Sequence, residues 1–330
     1  MNERINFCTL FDSNYLSRGV ALYRSLEETG CNFHLYVFAF DDKCLSVLKK
    51  MQLKHCTVVS LAEFEDDELL RIKPTRTRAE YCWTCSSSTI LYCINKFNLS
   101  NCTYIDADMF FYSNPSVLIE EMGNNSILIT EHRYTPKYDK SALSGKYCVQ
   151  FVTFKNDEYG MKVLHWWRNA CIDWCYNRHE DGKFGDQKYL DDWTIRFEKV
   201  YELQNLGGGL ALWNIQQYTV YNKNDKLFCK EIKTGKEFEP VFYHFHYLKY
   251  FTDGTVEFGR REITGDVKQL FYIPYLHKLE EAKAVIEKTD NSFNSHGATA
   301  PPSGIKSMLI KIWRKATNVY HIYRLKDLLN

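Results

Sequence analysis

Along the first half of the chain, short apolar runs alternate with segments whose apolar residues recur at helical spacing. Ile5-Asn6-Phe7-Cys8-Thr9-Leu10-Phe11 reads as a first strand that ends at Asp12-Ser13-Asn14-Tyr15. Leu16, Gly19, Val20, Tyr23 and Leu26 then fall on one face of a helix that Thr29-Gly30 closes. Residues 33–40 form a second apolar run tipped by Asp41-Asp42, followed by a helix over 43–51 and a third strand over 58–61. A fourth unit runs from a helix over 79–96 into an apolar run at 103–112. Strands alternating with helices predict right-handed crossovers and a mostly parallel sheet, so the expected class is α/β.

Beyond that point, residues 126–130 and 149–154 read as strands. A Trp-rich helix over 160–176 carries Leu164, Trp167, Cys171 and Trp174 on one face, which predicts core packing. A further helix is expected near Asp186-Gln187-Lys188-Tyr189-Leu190, then a turn at Gly207-Gly208-Gly209, then the run 242–247. The pattern suits one domain over 1–290. Residues 291–304 are small, polar and proline-bearing and read as a flexible linker.

Residues 305–330 read as an amphipathic basic helix. Lys306, Lys311, Arg314, Lys315, Arg324 and Lys326 are interleaved with Ile310, Ile312, Trp313, Val319, Tyr320, Ile322 and Leu325. Such a segment lies on an anionic membrane surface, packs back on its domain or pairs with another subunit. No apolar stretch is long enough to span a bilayer.

Composition narrows the function classes. With 42 Lys plus Arg against 41 Asp plus Glu, no global basic field points to nucleic acid. The 23 Tyr and 21 Phe suit stacking on bases or sugars as well as core packing. The 12 cysteines are scattered; Cys82 and Cys85 make one Cys-x-x-Cys spacing without a second ligand pair, so a reduced cytoplasmic set of thiols is expected. Residues 1–7 show no charged leader before a long apolar stretch, so secretion is not expected and the acceptor triplets at Asn98, Asn101 and Asn124 carry no glycosylation meaning.

The candidate chemistry lies at the end of the fourth unit. In Tyr104-Ile105-Asp106-Ala107-Asp108, two carboxylates one residue apart close a buried-looking strand. Such a strand seldom ends in two like charges without a counter-ion. A hard divalent ion with oxygen ligands and open positions for phosphate, Mg²⁺ or Mn²⁺, is the natural candidate. Solvated turn residues or helix caps are the plainer account of an isolated Asp-x-Asp. Here Asn114-Pro115 and a new helix follow, which makes a ligand-binding edge of an α/β sheet.

From Leu10-Phe11-Asp12-Ser13-Asn14-Tyr15, Tyr104-Ile105-Asp106-Ala107-Asp108, Gly185-Asp186-Gln187-Lys188-Tyr189-Leu190 and His244-Phe245-His246-Tyr247-Leu248-Lys249, in that order, the chain resembles the GT-A nucleotide-sugar glycosyltransferases. The likeness is strongest to the family of glycogenin and the bacterial lipopolysaccharide galactosyltransferases and spans roughly the first 250 residues. It implies a Rossmann-like mixed sheet flanked by helices, with Asp106 and Asp108 holding Mn²⁺ or Mg²⁺ against the donor diphosphate. His244 would complete the metal shell, with His246 on the same strand face as the fallback; a buried structural histidine is the alternative. Asp12 and Tyr15 stand where the family contacts the nucleotide, although Asp12 also suits a helix N-cap. Asp186 and Gln187 match the pair beside the reacting sugar carbon, Gln187 facing it if the transfer is retaining, and Lys249 matches a late phosphate-binding lysine.

The chain departs from the family in places. The helix before Asp106 reads Glu80-Tyr81-Cys82-Trp83-Thr84-Cys85 where relatives carry an arginine, which leaves phosphate pairing to Arg76 or Arg78. Tyr247 replaces the usual Gly, and the glycine triplet at 207–209 is foreign to glycogenin-like enzymes. The expected function is transfer of a sugar from a nucleotide diphosphate, UDP above others, to a glycan or glycolipid in bacterial surface polysaccharide synthesis, at the inner face of the membrane. A sugar-phosphate nucleotidyltransferase is the alternative enzyme, but residues 7–22 lack its Gly-rich basic loop. A non-catalytic sugar-nucleotide scaffold is the other alternative.

Overall fold

The structure, a computed structural model, describes residues 4–330. The strands that matter here are β1 Ile5–Phe11, β2 Phe33–Ala39, β3 Cys56–Ser60, β4 Asn101–Ile105, β5 Met109–Phe111, β6 Ile127–Glu131, β7 Tyr147–Lys155, β8 Val200–Glu202 and β9 Leu210–Ala211. Seven of them form the central sheet in the order β3-β2-β1-β4-β7-β6-β8. β3, β2, β1 and β4 run parallel, as the strand–helix alternation predicts. β7 opposes both its neighbours, which makes the sheet mixed.

Both faces of the central strands are covered, so β1, β2 and β7 are buried almost throughout, while the edge strands β3 and β8 are half-buried. On β1, Ile5, Phe7 and Phe11 join the core beneath the Leu16–Glu28, Asp42–Met51 and Ile273–Thr289 helices. Cys8 and Leu10 point the other way, toward the Arg78–Phe97 and Glu158–Asp173 helices. Leu164, Trp167, Cys171 and Trp174 are buried, which bears out the core role of the Trp-rich helix. The thiols are less scattered than the sequence suggests: Cys8, Cys93 and Cys102 place their sulfurs within 4.8 Å of one another in this second core.

A second, small sheet decides where the site lies. β5 pairs antiparallel with the strand Phe242–His244, setting His244 opposite Met109, and the same strand pairs parallel with β9. The glycine triplet serves this packing. A Cβ at Gly207 would stand 2.3 Å from the Glu239 carbonyl oxygen, and Gly209 has φ +116°, where side chains are disfavoured. Gly207 admits backbone, Gly208 packs against the Leu203 and Leu118 side chains, and Gly209 packs against Thr130.

The tail departs from expectation in two ways. Residues 291–304 do not hang free. His296 is buried, Nδ1 lies 2.8 Å from Ser17 Oγ and Nε2 2.9 Å from Glu280 Oε1, and its ring stacks on Tyr250. Arg18 Nη1 donates to the His296 carbonyl at 3.0 Å. Beyond it, 305–330 is not one helix. A helix spans Ile305–Ala316, the chain turns at Asn318 with φ 56°, and Ile322–Arg324 adds a strand beside Thr255–Glu257. The reason is Arg314, whose Nη1 sits 2.6 Å from Glu257 Oε1 with both side chains almost wholly buried. A buried charge has to lie against its partner, and that contact pins the tail.

Candidate active site

Asp106 ends β4, and a tight turn in which Met109 N–H donates to the Asp106 carbonyl puts Asp108 back over the sheet end. The β5 pairing then brings His244 to them. Its Nε2 lies 3.0 Å from Asp108 Oδ1 and 3.6 Å from Asp106 Oδ2. On the far side of the ring, Nδ1 is 2.7 Å from Gln150 Oε1. Assigning the ring proton from that contact makes Nδ1 the donor and turns Nε2 toward the carboxylates. Nε2 is buried and has no well-aligned hydrogen-bond partner, so the approach is one of charge rather than of an in-line bond.

Three groups facing one point, two of them carboxylates, call for positive charge there. In the ion-free protein the carboxylates favour a proton on His244. Burial would drive its pKa down, but the Asp108 carboxylate overrides burial and holds it well above the usual range. Burial also raises Asp108, and the His244 charge more than reverses this, bringing it down to about 2. Asp106, partly open to the cavity, is pushed up to about 6 by burial, relieved by His244 and aggravated by Asp108. Asp108, His244 and His246 bring their ligating atoms within 4.8 Å of one another. His246 is exposed to the cavity, where desolvation by the surrounding walls and then the His244 charge lower its pKa, so the ring offers a lone pair. Carboxylate oxygens and imidazole nitrogens converging on one point, with the buried Nε2 orphaned, fit a divalent metal ion.

A cavity of about 660 Å³ opens above these residues, within the range of small-molecule sites. Its wall includes Asp12, Tyr15, Arg78, Asp106, Asp108, Asp186, Gln187, His244 and His246. Asp12 takes the capping role expected as one of its two. It caps the turn by accepting from Asn14 N at 2.8 Å, and its other oxygen is 2.6 Å from Arg78 Nε. Arg78 is thus tied to Asp12 and Asp41 yet half exposed at the rim. Arg76 lies elsewhere, donating to the Ile172 carbonyl and stacking on Tyr176. Lys249 is likewise not on this wall; it is exposed on a neighbouring cavity.

Asp186 is buried against Ser86, whose Oγ donates to it at 2.9 Å, and its backbone carbonyl accepts from Trp167 Nε1. The expected helix after it is a tight 3₁₀ stretch, Gln187–Asp192. Gln187 gives its amide N–H to the Ser144 carbonyl. Burial lifts Asp186 to about 7 against the Ser86 hydrogen bond, with the Asp106 charge adding to the rise. An acid whose folded pKa is raised stabilises the fold most at low pH and loses that contribution as pH rises through the folded value. Asp186→Asn should therefore be nearly neutral in stability at pH 4 and more stable than the parent by on the order of 2 kcal/mol at pH 8. Urea unfolding at both pH values checks this; parallel pH profiles for the two proteins would refute it.

The sequence reading missed several wall residues: Trp83, Ser86, His132, Tyr134, Lys140, Ser144, Trp213 and Arg261. Trp83 and Ser86 are three apart on one helix and were legible as a shared face. His132 to Ser144 belong to the excursion between β6 and β7, whose path over the sheet end no local pattern reveals. Trp213 props the metal-side histidines, with its ring 5.3 Å from His244 and 6.0 Å from His246.

No family model matches the chain. It is 32% identical over 247 residues to the uncharacterized protein YfnF of Bacillus subtilis (strain 168), covering 72% of this chain and 80% of that one. To the uncharacterized protein YfnD of the same organism it is 30% identical over 285 residues, covering 83% and 88%. Among solved structures it is similar to the galactosyltransferase LgtC in complex with donor and acceptor sugar analogs, with TM-score 0.50, 10% identity, and 84% of this chain and 96% of that one covered. The bifunctional glycosyltransferase WbbM in its apo form gives TM-score 0.51 at 13% identity, covering 88% of this chain and 52% of that one. At such identities the likeness is one of fold, and the fold is GT-A.

Proposed function

We propose that this chain, which belongs to the family of Bacillus subtilis YfnF and YfnD and has the GT-A fold, is a metal-dependent glycosyltransferase. It moves a sugar from a nucleotide diphosphate, UDP above others, to a glycan or glycolipid. The observation that carries this reading is the convergence of Asp106, Asp108 and His244 on one point, in one cavity with Asp186 and Gln187.

Asp106, Asp108 and His244, with His246 beside them, would hold Mn²⁺ or Mg²⁺. The ion supplies Lewis-acid stabilisation of the charge that builds on the departing nucleotide diphosphate. Gln150 keeps the His244 ring in the orientation that presents Nε2. Tyr15 offers a ring face to the base and Asp12 an acceptor to its imide, while Arg78 at the rim adds positive charge for the phosphates. Asp186, poised between its two protonation states near neutrality, holds a sugar hydroxyl as donor or acceptor. Gln187, its amide N–H taken by Ser144, turns Oε1 toward the sugar, which suits retention at the anomeric carbon. The test is release of nucleotide from a panel of nucleotide sugars with and without Mn²⁺. Failure of every nucleotide sugar to bind in either condition overturns the reading.

The acceptor is placed at the inner face of a bacterial membrane, in surface polysaccharide synthesis. No helix among the described residues is long and apolar enough to cross a membrane. The Ile305–Ala316 helix instead exposes Ile305, Met308, Leu309, Ile312 and Trp313 beside Lys306, Lys311 and Lys315, the composition of a helix that lies on anionic lipid. Deleting 305–330 would strip a strand from the domain and so cannot isolate this role. Leu309→Glu combined with Trp313→Glu should abolish flotation with phosphatidylglycerol vesicles while leaving the unfolding transition in place; unchanged flotation refutes lipid docking.

A further inference from the structure

We infer that the acceptor carries a phosphate group, bound in a second, basic cavity that shares a wall with the donor cavity. The inference rests on the glycosyltransferase reading above and deepens it.

The second cavity has a volume of about 540 Å³. Lys140, Tyr247 and Arg261 line both cavities, whereas Lys137, Lys249 and Arg260 line only the second. Its acidic residues are already engaged. Glu257 is held by Arg314, and Asp139 accepts from the Ser141 backbone N–H at 2.7 Å. Lys137 pairs with Glu262 at 2.7 Å, and Arg260 Nε lies 3.5 Å from Glu257. That leaves Lys140, Lys249 and Arg261, none of which forms an ion pair among the described residues. Arg261 is 7% exposed, its guanidinium sits over the Tyr138 ring at 5.1 Å, and its Nη1 is buried with no hydrogen-bond partner. A buried guanidinium held by a ring on one side and left unpaired on the other lacks an anion.

The anion fits the acceptor better than the donor. A donor bound between Tyr15 and the Asp106 and Asp108 carboxylates keeps its diphosphate in the first cavity, where those carboxylates and their ion are. Lys249 and Arg260 lie beyond it. Glu257 and Gly259 line only the basic cavity, and Arg314 of the Ile305–Ala316 helix is fastened to both, with Nη2 donating to the Gly259 carbonyl at 2.7 Å. The helix with the exposed apolar face is thus tied to the wall of the basic cavity. A sugar linked to a prenyl diphosphate in the bilayer and a soluble phosphorylated glycan both supply the required phosphate.

Calorimetric titration of glucose 1-phosphate into the full chain saturated with UDP and Mg²⁺ tests the cavity, with methyl glucoside as the uncharged control. Glucose 1-phosphate should bind alongside UDP and methyl glucoside should not. Arg261→Gln should weaken the sugar phosphate by about tenfold or more, as loss of a charge-assisted contact does. Lys249→Ser, at an exposed position that no packing constrains, guards against a misfolded Arg261 variant and should act in the same direction. Competition between glucose 1-phosphate and UDP would overturn the inference, since the cations would then belong to the donor diphosphate. Equal binding of the uncharged control, or no binding by a protein that does take UDP, would overturn it too. If no nucleotide binds, the donor reading falls, while the same titration without nucleotide still decides whether the cavity takes phosphate. A prenyl-diphosphate sugar in phosphatidylcholine vesicles separates the two sources. Tighter binding than the soluble ligand, lost with Leu309→Glu and Trp313→Glu, identifies the lipid-linked acceptor, and equal binding identifies the soluble one.

Discussion

Asp108→Asn should lower kcat for donor cleavage by roughly 10³-fold, the scale on which transition-state charge stabilisation acts in a dry site. The physical case starts from Asp108 being held down at about 2, so it is ionised at every working pH and is the firmest anionic ligand in the cavity. Asparagine keeps the shape and removes the charge. It also takes away the main partner that raises the His244 pKa in the ion-free protein, so that pKa falls. Mn²⁺ titration by electron paramagnetic resonance gives a readout independent of turnover, and affinity should fall with kcat. Affinity in the parent should also rise with pH through about 6 and keep rising above it, because first Asp106 and then His244 must lose a proton to serve as ligands. A variant that keeps kcat within a factor of about 3 would remove Asp108 from the role assigned here.

Arg314→Met should destabilise the whole domain by about 3–5 kcal/mol, the cost of leaving a buried carboxylate without its cation. Arg314 does more than face Glu257. Its Nε donates to the Val319 carbonyl at 3.2 Å and its Nη2 to Gly259, so one side chain fastens the surface helix, the following turn and the loop after Thr255–Glu257. Urea unfolding measures the loss, and limited proteolysis should cleave the tail after Ala316 first. Adding Glu257→Gln to Arg314→Met should recover part of the stability, because the stranded charge is gone. A single variant that costs less than about 1 kcal/mol would mean the tail is held by its strand and apolar contacts instead.

Much of the candidate site was legible because GT-A chemistry uses strand ends, and strand ends are where apolar runs stop. Asp12 follows β1 and Asp106 follows β4, and both reach the same cavity because parallel neighbours end on the same side of a sheet. Asp186 and Gln187 came from the family likeness alone, and no periodicity points to them. Lys249 lines the neighbouring cavity instead, because the likeness carries order along the chain, whereas the chain leaves the first cavity after Tyr247.

Arg261 was invisible for a different reason. In the run Gly259-Arg260-Arg261-Glu262 the two arginines look alike, yet Arg260 is exposed and Arg261 is buried against Tyr138, a residue 123 positions earlier by number. The tail shows the same limit. Lys306, Lys311, Arg314 and Lys315 form a single basic set in sequence, and only the position of Glu257 makes Arg314 a buried tether while the others face out.

Local chemistry determined the α/β alternation, the two sheet faces and the acidic tip of β4, because each of these depends on residues within one helix turn or one strand of one another. Tertiary structure decided which histidine nitrogen meets the carboxylates, where the second group of cations gathers and what the tail does. Those outcomes depend on pairings such as His244 with Met109 and Arg314 with Glu257, contacts between distant segments that form only when the whole core is buried.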